Sequence, residues 1–222
     1  MTLYVVATPI GNREDISLRA LRVLRECDAV IAEDTRRTRA FLTAQGISRP
    51  LLSLPAFAEA SRLPALVARL ERGEELALCT DAGTPAVSDP GARLVRAARA
   101  ARCPVVTIPG PSAVTAALAG SGLPADSFCF LGFLPRTPGK LRRALERAVE
   151  EGRTLAFFES PVRLARTLEI AAPVLGSREV VIARELTKVH ETFHLGTAGE
   201  LAGYFATNPP RGECTVLVSA SG

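Results

Sequence analysis

Along the first half of the chain, short apolar runs alternate with segments of helical period. Apolar runs near 3–8, 28–33, 51–54, 76–80 and 104–108 predict strands, and amphipathic spacing near 17–26, 35–45, 59–72, 90–101 and 112–119 predicts helices. Strands that are apolar on both faces, each followed by a helix, point to a parallel sheet covered by helices. In Ser17 to Leu24 the residues Leu18, Leu21 and Leu24 form one stripe while the arginines point outward, so this reads as an ordinary surface helix. Gly120 to Asp126 turns to Gly and Pro before a Phe-rich strand, Phe128 to Phe133. That shift places a boundary between two α/β domains, 1–122 and 123–222. In the second domain strands are predicted near 127–133, 154–158, 179–184, 189–195 and 213–219. Ser160-Pro161 starts one helix, and Thr197 to Glu200 is a capping box that starts another. The runs near 179–184 and 189–195 are close enough to pair as a hairpin, so this sheet is expected to be mixed.

Three strands of the first domain run directly into loops of Gly, Pro, Ser, Thr and Asp. Leu76 to Gly91 reads LALCTDAGTPAVSDPG, Leu3 to Thr8 runs into Pro9-Ile10-Gly11-Asn12, and Val105 to Ile108 runs into Pro109-Gly110-Pro111-Ser112. In a parallel sheet the ligand crevice lies beyond the carboxyl ends of the strands, where loops and helix N-termini offer unpaired backbone groups. The three loops are therefore expected to form one composite pocket that reads its ligand largely through main-chain groups. Asp89 followed by Pro90 has the form of a helix cap with Pro at the first helical position.

Charge and composition narrow the picture only a little. With 222 residues and 47% hydrophobic content the chain is long and apolar enough for a large core, and a net charge of +4 permits a polyanionic partner without requiring one. Of 27 basic residues only Lys140 and Lys188 are lysines, and five cysteines are scattered with no C-x-x-C spacing. The cysteine pattern fits a reducing compartment, and with no signal or membrane-spanning run in view the expected location is the cytoplasm.

Four local patterns carry candidate chemistry. His190-Glu191-Thr192-Phe193-His194 matches the H-E-x-x-H spelling of zinc peptidases. Zinc binding needs a helix there, whereas Val189, Thr192, Phe193 and Leu195 favour an extended chain that sets residues four apart roughly 13 Å from each other. No metal site is expected. Gly132 to Lys140, GFLPRTPGK, lacks the glycine spacing and the Ser or Thr of a P-loop. Arg136, Lys140, Arg142, Arg143 and Arg147 form a basic cluster that can engage phosphates or simply be a solvated helix face. Glu33-Asp34-Thr35-Arg36 and Glu185-Leu186-Thr187-Lys188 each follow a strand, where carboxylates and a lysine can handle protons or act as simple caps and salt bridges.

Taken in order, several segments resemble the tetrapyrrole-methylase superfamily: Thr8-Pro-Ile-Gly-Asn12, Glu33-Asp-Thr-Arg36, Asp81-Ala-Gly-Thr-Pro85 with Ser88-Asp-Pro-Gly91, Pro109-Gly-Pro-Ser112, Gly132-Phe-Leu-Pro135, Glu159-Ser160 with Arg163, and Ala183-Arg-Glu-Leu-Thr-Lys188. The likeness covers nearly the whole chain. It is narrowest to the branch that methylates the ribose 2′-hydroxyl of a cytidine in 16S ribosomal RNA of the bacterial small subunit. A tetrapyrrole methyltransferase of the same fold is the alternative activity, followed by a zinc peptidase read from His190 to His194 and a non-catalytic RNA-binding module. The resemblance implies a homodimer of two-domain α/β chains, a parallel-sheet N-terminal and a mixed-sheet C-terminal domain, with S-adenosyl-L-methionine in the cleft between them. It implies cofactor contacts from Pro9, Gly11, Asp81, Ala82, Gly83, Pro109, Gly110, Ser112, Ala113, Phe158, Glu159, Ala183 and Leu186. Glu33, Asp34, Glu185 and Lys188 are the catalytic candidates, the base being a carboxylate or a lysine of depressed pKa. Arg36, Arg136, Lys140, Arg142 and Arg143 are the candidates for RNA binding. Where the branch carries a His-containing segment ending in Asn-Glu, Leu54-Pro-Ala-Phe-Ala-Glu59 keeps only the Glu.

Overall fold

The computed structural model describes residues 1–221, and the chain divides into two compact units, Met1–Ser112 and Ala113–Gly222. The first comprises β1 (Thr2–Val6), α1 (Leu18–Glu26), β2 (Ala29–Ala32), α2 (Thr35–Ala44), β3 (Leu51–Ser53), α3 (Glu59–Glu71), β4 (Glu75–Leu78), α4 (Ala92–Ala100) and β5 (Val105–Ile108). Its sheet runs β3-β2-β4-β1-β5, every neighbouring pair parallel. Alternate residues of each strand serve opposite faces. Leu3, Ala29, Ile31, Leu76 and Leu78 pack with Leu66 and Leu70 of α3 and Leu94 and Ala98 of α4. On the other face Val6, Val30, Ala77 and Ile108 pack with Ala20, Val23 and Leu24 of α1 and Leu42 of α2. Because all five strands point the same way, the loops that follow them leave from one edge.

The second unit comprises α5 (Ala113–Ser121), β6 (Phe128–Phe133), α6 (Pro138–Glu150), β7 (Thr154–Glu159), α7 (Pro161–Leu175), β8 (Val180–Arg184), β9 (Thr192–Gly196), α8 (Ala198–Thr207) and β10 (Cys214–Val218). Its sheet, β6-β7-β10-β8-β9, is mixed: β6 and β7 are parallel and the other three pairs antiparallel, including the β8–β9 hairpin. The capping box at Thr197 and Glu200 forms in full. All five cysteines are free thiols, and among the described residues no helix is long and apolar enough to cross a membrane.

Three local readings differ from the structure. The composition shift at 120–126 marks only the loop after α5; the helix itself packs against β7, β8 and β10 of the second sheet, so the division falls about ten residues earlier than expected. Its fit depends on Gly120, where an added Cβ would lie 2.6 Å from Cζ of Phe193. In α1 the buried face is Ala20, Val23 and Leu24, while Leu18 is 87% exposed. Two residues from Ala20, Leu18 points about 200° away around the helix axis. Finally, Asp89 does not cap α4. Its carboxylate accepts a bond from Thr80 Oγ1 at 2.6 Å, and the helix begins at Ala92 after Gly91 (φ +124). The first turn has no side-chain cap, but the N–H of the N-cap residue is held by another element: buried Glu59, the first residue of α3, accepts the Gly91 N–H at 3.0 Å. This is a structural duty for the one residue of the 54–59 segment that keeps the family spelling.

Removing that carboxylate strands a buried amide and unties α3 from α4. Glu59→Ala is expected to lower the unfolding free energy by about 1.5–3 kcal/mol, with Glu59→Gln recovering part of it through its side-chain oxygen. Urea denaturation of the three proteins checks this; equal midpoints for Glu59→Ala and the parent chain would remove Glu59 as a tie between α3 and the start of α4.

Candidate active site

The loops after β1, β4 and β5 are physically joined. Thr8 and Gly83 form an antiparallel bridge, with Thr8 N–H donating to Gly83 O at 2.9 Å and Gly83 N–H donating to Thr8 O at 3.0 Å. Thr8 Oγ1 donates to Thr80 O at 3.1 Å, and Thr84 Oγ1 donates to Pro111 O at 3.1 Å. The three Gly-rich loops expected to share one pocket are therefore adjoining segments. Gly110 allows the closest approach, since a Cβ there would stand 3.1 Å from Cβ of Ala7. Knitting the loops consumes the backbone of Gly83 but spares others: among the described residues the N–H groups of Ala82 and Gly110 find no hydrogen-bond partner. Unpaired amides on loops at the carboxyl ends of β4 and β5 are what a ligand read through main-chain groups requires. Pro9 and Gly11 lie on the first of these loops, Pro109 and Ser112 on the third.

Carboxylates collect at the same edge. Asp34 is the N-cap of α2, its Oδ1 accepting Arg36 N–H at 2.9 Å, and its two oxygens hold the Arg36 guanidinium at 3.2 and 2.9 Å. These bonds to Arg36 carry the Asp34 pKa down to about 2. Asp81 accepts the Asp34 N–H at 3.3 Å and pairs with Arg37 at 3.2 Å. Glu33 is different. Half-buried, it makes no hydrogen bond or ion pair among the described residues, and its pKa is raised first by burial, then by the charges of Asp89 and Asp81, against a smaller opposing pull from Arg37. Asp89 is likewise raised, mainly by burial. Within this cluster the proton-accepting candidate is Glu33; Asp34 is committed to its cap and its arginine.

In the second unit the Glu185 to Lys188 loop is strapped to the segment before β10. Arg184 Nε donates to Arg211 O at 2.8 Å, Glu185 N–H donates to Glu213 O at 2.9 Å, and Glu213 N–H donates to Glu185 Oε1 at 3.0 Å. Lys188 Nζ bridges Glu185 and Glu213 at 2.8 Å each. Burial disfavours the Lys188 charge, but the bonds to the two carboxylates outweigh it and leave the pKa above the ordinary lysine value. Glu185 is lowered, chiefly by its bond from Lys188. The expected lysine of depressed pKa is thus the opposite, a fixed ammonium. Glu185 sits in the left-handed region (φ +53), and a Cβ on Gly212 would run into its carboxylate. Gly212 and Glu213 escaped the sequence reading; the Gly-Glu step at the mouth of the last strand was the available signal.

The remaining candidates occupy varied settings. The Phe158 ring packs against Phe130 and Phe133 with centroids at 5.0 and 5.5 Å. The Glu159 carboxylate is buried and occupied by Ser160 N–H, Thr167 Oγ1 and Arg163, so a ligand would meet this residue at its main chain. Ala183 and Leu186 are buried and Ala113 half-buried. Lys140, Arg143 and Arg147 share one exposed stripe of α6, Arg142 is exposed beside it and Arg136 precedes the helix; none makes an ion pair. His190 lies in a turn and His194 in β9, where its ring packs on Tyr204 and Phe205, so the two imidazoles never share a helical face.

Residues 2–202 match the family described as Tetrapyrrole (Corrin/Porphyrin) Methylases. The chain is 46% identical over 218 residues to the ribosomal RNA small subunit methyltransferase I of Thermotoga maritima, covering 98% of this chain and 97% of that one. It is 47% identical to the protein of the same name from Escherichia coli O157:H7, covering 97% of this chain and 77% of that one. Among solved structures, cobalt precorrin-4 methyltransferase CbiF superposes with a TM-score of 0.74 at 18% identity, over 98% of this chain and 94% of that one. A uroporphyrin-III-C-methyltransferase from Thermus thermophilus gives 0.67 at 21%, over 99% and 94%. At those identities the structural likeness speaks to the fold.

The opposed environments of neighbouring carboxylates give a direct test. In a carboxyl-carbon NMR titration Glu33 is expected to titrate above the ordinary glutamate value of 4.5 and Asp34 near 2, and Asp89→Asn should move Glu33 downward. Both shifts make stability depend on pH. Asp34 stabilises the fold above its ordinary value of 3.8 and ceases to as pH falls towards 2. Glu33, raised, favours the fold most below 4.5, and that contribution disappears as pH rises through its folded value. A Glu33 midpoint at 4.5 that ignores Asp89→Asn would show that the cluster is not coupled.

Proposed function

The chain belongs to the tetrapyrrole (corrin/porphyrin) methylase family, and on that basis we propose that this methyltransferase moves the methyl group of S-adenosyl-L-methionine to the ribose 2′-hydroxyl of a cytidine in 16S ribosomal RNA of the small subunit. The observation that carries the reading is identity of 46–48% over nearly the whole chain to proteins named for small-subunit ribosomal RNA methylation. The catalytic-edge motifs sit in that shared stretch, whereas the tetrapyrrole enzymes of like fold share 16–21%. The same reading has the protein working in the cytoplasm as a homodimer.

The loops of the first unit fit the cofactor. The free amides of Ala82 and Gly110, with Asp81, Pro109 and Ser112 around them, present main-chain polar groups to a ligand that combines amino-acid, ribose and adenine edges. When bound, the cofactor supplies a sulfonium methyl that is already electrophilic, so the protein's tasks are to orient the ribose oxygen and remove its proton. We assign proton removal to Glu33. Unpaired and raised above an ordinary glutamate, it is a better acceptor than Asp34, held at about 2, or Glu185, paired with Lys188. Lys188, permanently charged between two carboxylates, is a positioning group rather than a base. The exposed stripe Lys140, Arg143 and Arg147 supplies charge for an RNA backbone, while the Arg36 charge is already met by Asp34.

Labelled methyl transfer from S-adenosyl-L-methionine to unmodified small subunits, with the labelled nucleotide mapped, tests the reading. A single cytidine ribose should carry the label, and Glu33→Gln should slow single-turnover transfer by about 10²–10⁴-fold with cofactor affinity retained. Label on a tetrapyrrole and none on RNA would replace the substrate; full speed in Glu33→Gln would remove Glu33 as the base.

A further inference from the structure

At the opposite end of α2 from Asp34, the chain turns through residues 45–50 into β3, the edge strand of the first sheet. A hollow of about 350 Å³ opens there, its rim formed by Arg39, Thr43, Ser48 and Arg49 and its floor by buried Leu42 and Ile47. No carboxylate lines it. Among the described residues neither guanidinium has an ion-pair or hydrogen-bond partner, the hydroxyls of Thr43 and Ser48 have none, and the N–H groups of Ser48 and Arg49 are unpaired. Arg36 and Arg37, at the start of the same helix, are by contrast held by Asp34 and Asp81. The hollow thus gathers two permanently charged guanidinium groups, two hydroxyls and unpaired amides around a concavity with no anionic side chain in its lining; such a set recognises a phosphate.

Its position argues for which phosphate. Arg36, Arg39 and Thr43 recur at helical spacing on the exposed side of α2. One edge of the helix therefore runs from the carboxylate cluster to the hollow, over about 15 Å for ten residues. A strand lying along that edge with one nucleotide at the carboxylates would set a phosphate some nucleotides away over the Arg39 and Arg49 guanidinium groups. We infer that the hollow is a phosphodiester subsite for the RNA strand flanking the methylated nucleotide. The inference rests on the reading of the substrate given above. It gives the residues after α2 a task in gripping RNA distinct from that of the basic stripe of α6.

The test compares the parent chain with Arg39→Gln/Arg49→Gln and Arg39→Glu/Arg49→Glu, all checked for unchanged thermal melting, on unmodified small subunits across a salt series. The neutral double variant should raise KM about tenfold with kcat unchanged. Its plot of log affinity against log salt should flatten by about 1, and the charge-reversed variant should be worse. Unchanged KM and slope in both variants, with the parent chain active, would overturn the subsite alone. Tight binding of inorganic phosphate at this hollow, with KM for subunits indifferent to the variants, would replace RNA by a small phosphate ligand. No transfer to subunits by the parent chain would instead overturn the substrate reading and the subsite with it.

Discussion

The reciprocal backbone bonds between Thr8 and Gly83 are the constraint on which the rest of the site depends. A parallel sheet guarantees that the loops leave from one edge, but not that they meet. The bridge closes that gap: both polar groups of Gly83 are spent on Thr8, Thr8 Oγ1 reaches back to Thr80, and Thr84 reaches across to Pro111. With the three loops fixed to each other, the amides of Ala82 and Gly110 remain unpaired yet are carried on a rigid frame. Exposed amides on a floppy loop would lose on ordering much of what ligand binding gains. Here the ordering is done by folding, and the small residues at 83 and 110 are what permit the approach.

The charged groups divide by a similar logic. Those with close partners are frozen in one protonation state: Asp34 by Arg36, Glu185 and Lys188 by each other, Lys188 again by Glu213. Glu33 has no partner and shares its surroundings with other acids, so burial and like charge work together to raise it. Two carboxylates adjacent in sequence thereby acquire opposite tendencies, one a permanent anion and the other a proton acceptor. Sequence spelling alone presents Glu33 and Asp34 as equivalents.

That difference marks how far the sequence was legible. The strand and helix order, the parallel first sheet and the β8–β9 hairpin follow from period and turn chemistry, which are local properties. The loops that meet were recognisable because Gly, Pro and Thr after an apolar run have few other reasons to occur at three strand ends. What stayed hidden depends on partners distant in the chain. Asp89 looks like a cap until Thr80 takes its carboxylate, and the amide it would have capped is served by Glu59, 32 residues before Gly91. Helix α5 looks like the last element of the first domain until its packing on the second sheet is seen. The hollow after α2 has no motif at all, since its donors come from a helix and the turn that follows it, and no acid is among the residues that line it.

Lys188 shows the same principle acting on chemistry. A half-buried lysine next to a strand end invites the reading of a lowered pKa, because desolvation penalises the ammonium. That penalty is present here, but it is opposed by two carboxylates, one of which reaches Lys188 only because Gly212 leaves room for Glu185 and the chain before β10 folds back to deliver Glu213. The left-handed backbone of Glu185 is held by the same straps, through its N–H to Glu213 O. Strain, glycine and ion pairs are thus parts of one arrangement whose output is a fixed positive charge. Since a lysine locked in this way stays protonated near neutral pH, it offers no proton acceptor, and the role of base proposed above for the raised carboxylate of Glu33 does not have to compete with it.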